Sequence, residues 1–376
     1  MKTIRKKLHT IKYKAPDYGF SALANEWIPG NDENNGKLIK PLLTSAVLYF
    51  SPSKELCPRV QQKKKKNKNN TDYAALVLAG IAVGDMAGQP YEGCGCQGEY
   101  DPQKNPTAYR SMPLVRAGAH ITDDTVLATA VLDAAMSIRK EIEQKKTTIE
   151  NVACVYRYER SLRDYAQTYP DAGYGGAFYH WAILGEAKAG YKSYGNGGAM
   201  RVGIIGAMFD TIDDVICQAV MSALPTHSHP EGIKGAVVTA VTVFLALHGI
   251  GKKPVLKYME SYYQEKDLDG IPYKVKTDMT MDFLARVPYT FASVKTQDTL
   301  PEVMIHLKNS DGYESCIRNI FRYVCDSDTI GAISGGIAAT LYPKEFRKIC
   351  SKIQPCEGVY RVLTKEILDN AADLTI

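Results

Sequence analysis

Two stretches far apart in the chain begin alike: a run of oxygen-bearing side chains, then at once a helix of small apolar residues. "HITDDTVLATAV" at 120–131 sets Asp123 and Asp124 between two threonines, and "CDSDTIGAISGGIAAT" at 325–340 sets Asp326 and Asp328 before Thr329. Adjacent carboxylates repel, and charge taken out of water is costly unless it is paired. Helix capping, with Thr122 or Asp123 as N-cap, accounts for one acid and about 1 kcal/mol. It gives no reason for four consecutive oxygen-bearing side chains. Small residues let helices approach closely, so two such N-termini can face each other and pool four carboxylates. Four carboxylates at one place cannot all stay ionised without counter-charge. Two divalent cations about 3.5–4 Å apart would supply it and make a hydrolytic site. An all-oxygen ligand set favours Mg²⁺ or Mn²⁺ over zinc.

From Asp72 onward the apolar period is helical. "DYAALVLAGIAVGDMAG" carries apolar residues at three-to-four spacing, and "DDTVLATAVLDAAMSIRKEIEQ" starts with acids and ends with bases, as a helix dipole prefers. "TIENVACVYRYERSLRDYAQTY" predicts a helix with Thr148 as N-cap and Pro170 as its stop. Further helices are expected near 197–209, 211–223, 230–249, 254–265, 296–307, 313–324, 329–342 and 357–371. Strand signals are few, and no repeat of fixed period is visible. The pattern predicts an all-α, multi-helix globular core. "LIKPLLTSAVLYF" at 38–50 suits either a strand or a short buried helix. "GAVVTAVTVFLALHG" at 235–249 falls short of a membrane span and reads as a core helix.

Charge divides the chain. The net charge is +5, but residues 1–70 hold 15 Lys/Arg against 5 Asp/Glu, so the remainder is net −5. "QQKKKKNKNN" at 61–70 reads as a solvated linker, giving a basic N-terminal extension over 1–70 and a helical domain over 71–376. The extension serves solubility or offers a surface to an anionic or acidic partner. No aromatic interleaving or nucleic-acid motif accompanies it, so nucleic acid is not the expected partner. The basic N-terminus has neither an apolar h-region nor a cleavage site, which argues against a secretory signal. Nine cysteines, odd in number and without CxxC pairs, suit reduced thiols and a cytoplasmic protein. "CGC" at 94–96 is a weak soft-metal candidate.

Four further clusters break the ordinary pattern. "GDMAGQPYEG" at 84–93 places Asp85 late in an apolar helix, where the dipole disfavours negative charge, and Glu92 on the loop beyond Pro90. "GNGGAMRVGIIG" at 195–206 and "DAGYGGAF" at 171–178 are glycine loops before helices, where backbone N–H groups can approach a ligand. Neither has P-loop or dinucleotide-fold spacing. "LPTHSHPEG" at 224–232 sets His227 and His229 at a helix start; ligand hydrogen bonding or capping suits them better than zinc, for which a third ligand is missing.

In this order the clusters "GDMAGQPYEG", "TDDT", "GNGGAMR", "THSHPE" and "DSDTIGAISGG" resemble the ADP-ribosylglycohydrolase family, over about residues 73–370. The resemblance implies an all-α ADP-ribosylglycohydrolase-like fold, a binuclear Mg²⁺ or Mn²⁺ centre, and hydrolysis of the glycosidic bond between ADP-ribose and an acceptor. It makes Thr122, Asp123 and Asp124 metal ligands from one side and Asp326, Asp328 and Thr329 from the other. Glu92 would sit close to the metals, and Asp123, Asp124 and Glu92 would be the catalytic acids. Asn196, Gly197, Gly198, Met200, Arg201, His227 and the loop Gly173, Tyr174, Gly175, Gly176 would line the ADP-ribose cleft. Two departures stand out. Gly198 replaces a common serine, which removes a possible ligand hydrogen bond. Val126 follows "TDDT" where a polar residue is frequent, a change expected to concern only the helix surface. The implied substrate is an ADP-ribosylated protein, arginine-linked or serine-linked. The alternative is an immunity-type protein whose basic extension binds an ADP-ribosylating toxin.

Overall fold

The computed structural model describes residues 17–53, 70–92, 105–186, 190–284 and 293–372. Its helices are α1 (Phe20–Glu26), α2 (Asp32–Phe50), α3 (Asn70–Gly88), α4 (Asp123–Glu143), α5 (Ala153–Thr168), α6 (Gly176–Ala182), α7 (Gly197–Met200), α8 (Gly203–Met208), α9 (Ile212–Ala223), α10 (Pro230–Leu247), α11 (Lys252–Glu260), α12 (Met281–Leu284), α13 (Thr296–Lys308), α14 (Tyr313–Arg318), α15 (Ser327–Leu341), α16 (Pro343–Cys350) and α17 (Arg361–Ala372). Among the described residues there is no sheet. Isolated bridges join Lys192 to His227 and Gly195 to Lys295. The all-α expectation holds.

The most extensive helix pair is α3 on α15, and glycines decide how close it is. A Cβ added at Gly80, Gly84 or Gly88 would lie 2.6, 2.0 or 2.1 Å from the carbonyl oxygen of Gly335, Gly331 or Ser327. No side chain fits at such a separation, so backbone meets backbone along a stripe repeating every four residues on both helices. The pairing runs antiparallel. It therefore sets the C-terminal turns of α3, with Asp85, beside the N-terminal turn of α15, with Asp328. Ser327 Oγ donates to Gly88 O at 2.8 Å and Tyr313 OH to Gly80 O at 2.9 Å, fixing the register at both ends.

Helix α4 packs on α3 and α5, and α10 lies against α8, α9 and α15. Helix α10 is apolar and long enough to cross a membrane, yet 94% of that span is buried in the fold, as expected of a core helix. Val126 is also fully buried, contrary to the surface position expected of it. The reason is that every residue of α4 from 124 to 131 is buried.

Residues 38–50 belong to a longer helix, α2, whose N-cap Asn31 accepts from Asn34 N. Phe20, Trp27, Tyr49 and Phe50 share one hydrophobic core with the rest of the chain, and Tyr258 and Tyr262 donate to the carbonyls of Phe50 and Tyr49 at 3.0 Å. Within 17–53 there are two lysines against four acids, so the positive excess of the N-terminal stretch resides in 1–16 and 54–69. Other boundaries also differ from expectation: the 254–265 helix is Lys252–Glu260, and 357–371 opens as a 3₁₀ turn over Gly358–Tyr360 before α17. Helix α5 starts at Ala153 rather than near Thr148, because 148–151 closes as a turn with Asn151 N donating to Thr148 O at 3.1 Å. The 197–209 helix divides into α7 and α8 at Arg201 and Val202, and 313–324 becomes α14 plus a 3₁₀ turn over Asn319–Arg322.

Candidate active site

The start of α4 explains Asp85. Its carboxylate reaches the opening turn of α4 and accepts four hydrogen bonds: from Thr122 N at 2.9 Å, Thr122 Oγ1 at 3.0 Å, Thr125 N at 3.2 Å and Thr125 Oγ1 at 2.5 Å. An acid at the unfavourable end of one helix thus caps the favourable end of another. Thr122 is the N-cap of α4, its Oγ1 accepting from Asp124 N. With the helix end already satisfied, neither Asp123 nor Asp124 is needed as its cap. Asp123 N donates instead to Ala172 O at 2.7 Å, which ties the 171–176 loop to the acidic turn.

Across the glycine stripe, α15 begins at Asp326. Asn196 Nδ2 donates to Asp326 Oδ2 at 2.6 Å, and Asp328 Oδ1 accepts from Thr329 N at 2.9 Å. Thr329 Oγ1 crosses to Asp124 Oδ2 at 3.2 Å, so the two acidic turns meet directly. Two carboxylate groups result, Asp85–Asp124–Asp328 and Glu92–Asp326–Asp328, each with ligand oxygens within 4.8 Å of one another. Asp328 belongs to both. Burial, first, and then mutual repulsion raise the pKa of Asp123, Asp124 and Asp328 well above the ordinary carboxylate range. Burial pushes Asp85 up to about 6 against the four bonds it accepts, and Glu92 rises through burial and then the charge of Asp326. Asp124 Oδ1 is buried without a hydrogen-bond partner. An unsatisfied buried carboxylate oxygen in a carboxylate cluster fits an oxygen-ligated divalent cation.

The structure brings Thr122, Asp124, Asp326, Asp328 and Thr329 together as the acidic turns predicted, with Glu92 at their edge. Asp123 stands outside both ligand groups and is only partly buried; its charge reaches Tyr174, Tyr191 and Arg201. Asn196 joins the glycine loop to the cluster through Asp326 and through Thr299 Oγ1, 3.0 Å away. Met200 packs on the same turn, its Sδ 4.0 Å from Thr329 Oγ1. Gly197 and Gly198 lie on His227, and a Cβ at either would come within 3.0–3.2 Å of that ring or its Cβ. His227 is buried behind the loop with Nδ1 2.8 Å from Thr226 Oγ1, and burial lowers its pKa well below the usual range, so it is neutral. Arg201 is fully buried in that layer, donating to Thr226 Oγ1 and Ser222 O. His229 caps α10, accepting from Glu231 N. Gly173, Gly175 and Gly176 are exposed beside Asp123; Gly173 has φ 95°, a value that favours glycine. Tyr174 stacks on Phe178 at 5.3 Å.

Sequence reasoning left Asp85 out of the ligand set, although its odd place at a helix C-terminus was the signal. Thr125 and Thr299 carried no signal beyond their neighbourhoods. Cys94 and Cys96 lie outside the described residues. Cys154, Cys217, Cys316, Cys325, Cys350 and Cys356 are buried and free.

Fold and site together define an all-helical protein with a carboxylate cluster where two helix N-termini meet. The profile of the ADP-ribosylglycohydrolase family matches residues 67–372. The chain is 31% identical to ADP-ribosylhydrolase ARH3 of Bos taurus over 359 residues, covering 77% of this chain and 93% of that one. It is 26% identical to the Mus musculus ARH3, covering 75% of this chain and 86% of the relative. A solved ADP-ribosylglycohydrolase-related protein complex superposes with a TM-score of 0.50 at 19% identity, over 82% of this chain and all of the other, a likeness of fold. The chain belongs to the ADP-ribosylglycohydrolase family and is a glycosidic-bond hydrolase.

Proposed function

We propose that the protein releases ADP-ribose from modified protein side chains by hydrolysis at a binuclear Mg²⁺ or Mn²⁺ site. The observation that carries this reading is the pair of carboxylate groups sharing Asp328, with a buried Asp124 oxygen left unpaired. Asp85, Asp124 and Asp328 would hold one cation and Glu92, Asp326 and Asp328 the other. Bound cations would neutralise the cluster and polarise the oxygens they hold.

The chain's own residues do the rest. Asp85 fixes the backbone of the 122–125 turn, so Asp123 and Asp124 keep their placement without spending themselves on capping. Asp123, partly exposed and outside both ligand groups, is the carboxylate proposed to orient a water and take its proton. Asn196 holds Asp326 and presents the glycine loop to the ADP-ribose half of the substrate. Carboxylates around the reacting carbon ease the positive charge that develops there. The same excess of carboxylates favours a cationic leaving group, so an arginine-linked acceptor is proposed ahead of a serine-linked one.

The decisive experiment incubates arginine-linked and serine-linked ADP-ribosyl proteins with and without Mg²⁺. Asp124→Asn, or chelation, is expected to lower ADP-ribose release by at least about 10³-fold. Undiminished release in excess EDTA overturns the metal-dependent reading. A second role, binding of an acidic protein by the basic segments at 1–16 and 54–69, rests on their charge alone. Because α1 and α2 are part of the core, its test deletes residues 1–16 only and asks whether partner capture is lost while hydrolysis survives.

A further inference from the structure

We propose that Glu302 and Tyr323 are positioning residues for Asp326: a polar stripe on α13 holds the chain that delivers this carboxylate and, through Thr299, the glycine loop that contacts it. The consequence for metal binding rests on the function proposed above.

Local structure does little to fix Asp326. It is the N-cap of α15, yet its side chain makes no capping bond. Residues 323–326 lie between the 3₁₀ turn over Asn319–Arg322 and the first turn of α15, outside both. No helical ladder therefore sets their backbone, and side chains must do so. Asn196 Nδ2 holds the Asp326 carboxylate at 2.6 Å, but Asn196 itself stands on a glycine loop.

Helix α13 supplies the support. Thr296, Thr299, Glu302 and His306 are all buried, and their spacing puts them on one face of the helix. The stripe works in two halves. Its N-terminal half grips the glycine loop. Thr296 Oγ1 donates to Gly195 O at 2.6 Å, and Thr299 Oγ1 accepts from Asn196 Nδ2 at 3.0 Å while donating to Lys295 O at 3.1 Å. Its C-terminal half grips the chain that enters α15. Tyr323 OH donates to Glu302 Oε2 at 2.7 Å and lies 2.9 Å from His306 Nε2, and Asn319 Nδ2 donates to His306 O at 3.2 Å. The His306 and Tyr323 rings meet edge to face at 5.6 Å. Asp326 is where the halves meet, held by Asn196 from one side and by the chain anchored at Tyr323 from the other.

A buried tyrosine hydroxyl needs a partner. Here Glu302 takes its proton, and His306, kept neutral because burial lowers its pKa to about 3, makes the second bond to the same oxygen. Burial pushes Glu302 up to about 8 against the bond from Tyr323, and the charges of Asp298 and Asp326 add to the rise. A carboxyl buried there costs stability that an amide of the same shape would not. Glutamine would keep the acceptor and discard the charge, so placement of Asp326 and charge beside it can be separated.

The test follows Mn²⁺ binding to the full chain by electron paramagnetic resonance, and amide exchange across 323–331 in EDTA by mass spectrometry. Ile330 N, which donates to Asp326 O at 2.9 Å, reports on the placement of Asp326 without metal. Tyr323→Phe keeps the ring and loses the hydroxyl. Glu302→Leu loses acceptor and charge, and Glu302→Gln loses the charge alone. Tyr323→Phe and Glu302→Leu are expected to weaken Mn²⁺ about tenfold and to speed exchange in the first turn of α15 by a similar factor. Glu302→Gln should stay within about twofold of the unmutated chain on both readouts. Equal weakening by Glu302→Gln and Glu302→Leu makes the effect one of charge and overturns the proposal. So does a Tyr323→Phe chain with unchanged affinity and exchange. Should Glu302→Leu fail to fold, the contrast between Tyr323→Phe and Glu302→Gln decides alone. An unmutated chain that takes up no Mn²⁺, with the expected exchange pattern among the variants, supports the positioning role and sinks the metal-dependent reading instead.

Discussion

The two acidic turns look alike in sequence and are built differently. At α4 the backbone donors are met from outside, by Asp85 on another helix, and the N-cap Thr122 adds one more acceptor. At α15 the N-cap Asp326 makes no capping bond with its side chain, which Asn196 of the glycine loop holds instead. The first turn is therefore set by the packing of α3. The second is tied to the 195–197 glycine loop, which the proposed function turns toward the substrate. Carboxylates proposed for the same task can thus differ in what positions them, one pair anchored in the core and the other linked to the glycine loop.

Breaking the α3–α15 contact should have the largest effect, because it removes the frame shared by both turns. Gly84→Val puts a branched side chain where even a Cβ would lie 2.0 Å from Gly331 O. We expect loss of the cooperative fold, or at least about 4 kcal/mol by urea denaturation. Gly203→Ala is the control, since its Cβ would meet Val77 at 3.5 Å, an ordinary contact. Next comes Asp85→Ala, which strands the Thr122 and Thr125 N–H groups away from water. About 3–4 kcal/mol of stability should be lost in the Mg²⁺-loaded protein. Asp85→Asn keeps acceptor capacity and should lose less, most visibly without metal, where it also relieves repulsion.

These effects bear on what the sequence could disclose. The pairing of 122–124 with 326–329 was legible because two oxygen-rich helix starts on small-residue helices leave few other arrangements. The all-helical architecture was legible from period and punctuation. The partner of each turn was not. Nothing local says that Asp85 reaches α4, since that depends on the register of the glycine stripe, a long-range property. The reading of 38–50 stayed open because Pro41 and a continuous apolar run suit more than one local structure; tertiary packing on α9 decides for helix. Val126 was misplaced for a similar reason, because composition does not say that every residue of 124–131 is buried.

The pH dependence of stability separates the turns from their counter-charge. In metal-free protein Asp85 has its pKa raised from 3.8 to about 6, and the neighbouring acids shift the same way. Between pH about 4 and about 6 the native state therefore holds more protons than the unfolded state, so stability falls as pH rises through this window. For Asp85 alone the shift corresponds to about 3 kcal/mol. Thermal melts in EDTA should give a higher Tm at pH 5 than at pH 7.5. Added Mg²⁺ should raise Tm more at pH 7.5, where the carboxylates are ionised. A Tm that climbs steadily from pH 5 to 7.5 in EDTA contradicts a cluster strained by its own charge.

The smallest effect tests the comparison most directly. Thr122 and Thr329 occupy matching places, each with Oγ1 donating to Asp124 Oδ2, at 3.1 and 3.2 Å. Only Thr122 also caps its helix, and the one proton of its hydroxyl is shared between Asp124 and Asp85 Oδ1, 3.0 Å away. Thr122→Val removes all of these bonds and should cost about 1–2 kcal/mol in metal-free protein, whereas Thr122→Ser keeps the hydroxyl and should stay within about 0.5 kcal/mol. Thr329→Val removes the bond to Asp124 but no cap, because Asp328 serves Thr329 N, so its cost should be no more than half as large. If Thr122→Val and Thr329→Val lose equal stability under denaturation, the Thr122 hydroxyl adds no more to the α4 turn than the Thr329 hydroxyl adds to the α15 turn, and the N-cap is not what distinguishes the two helix starts.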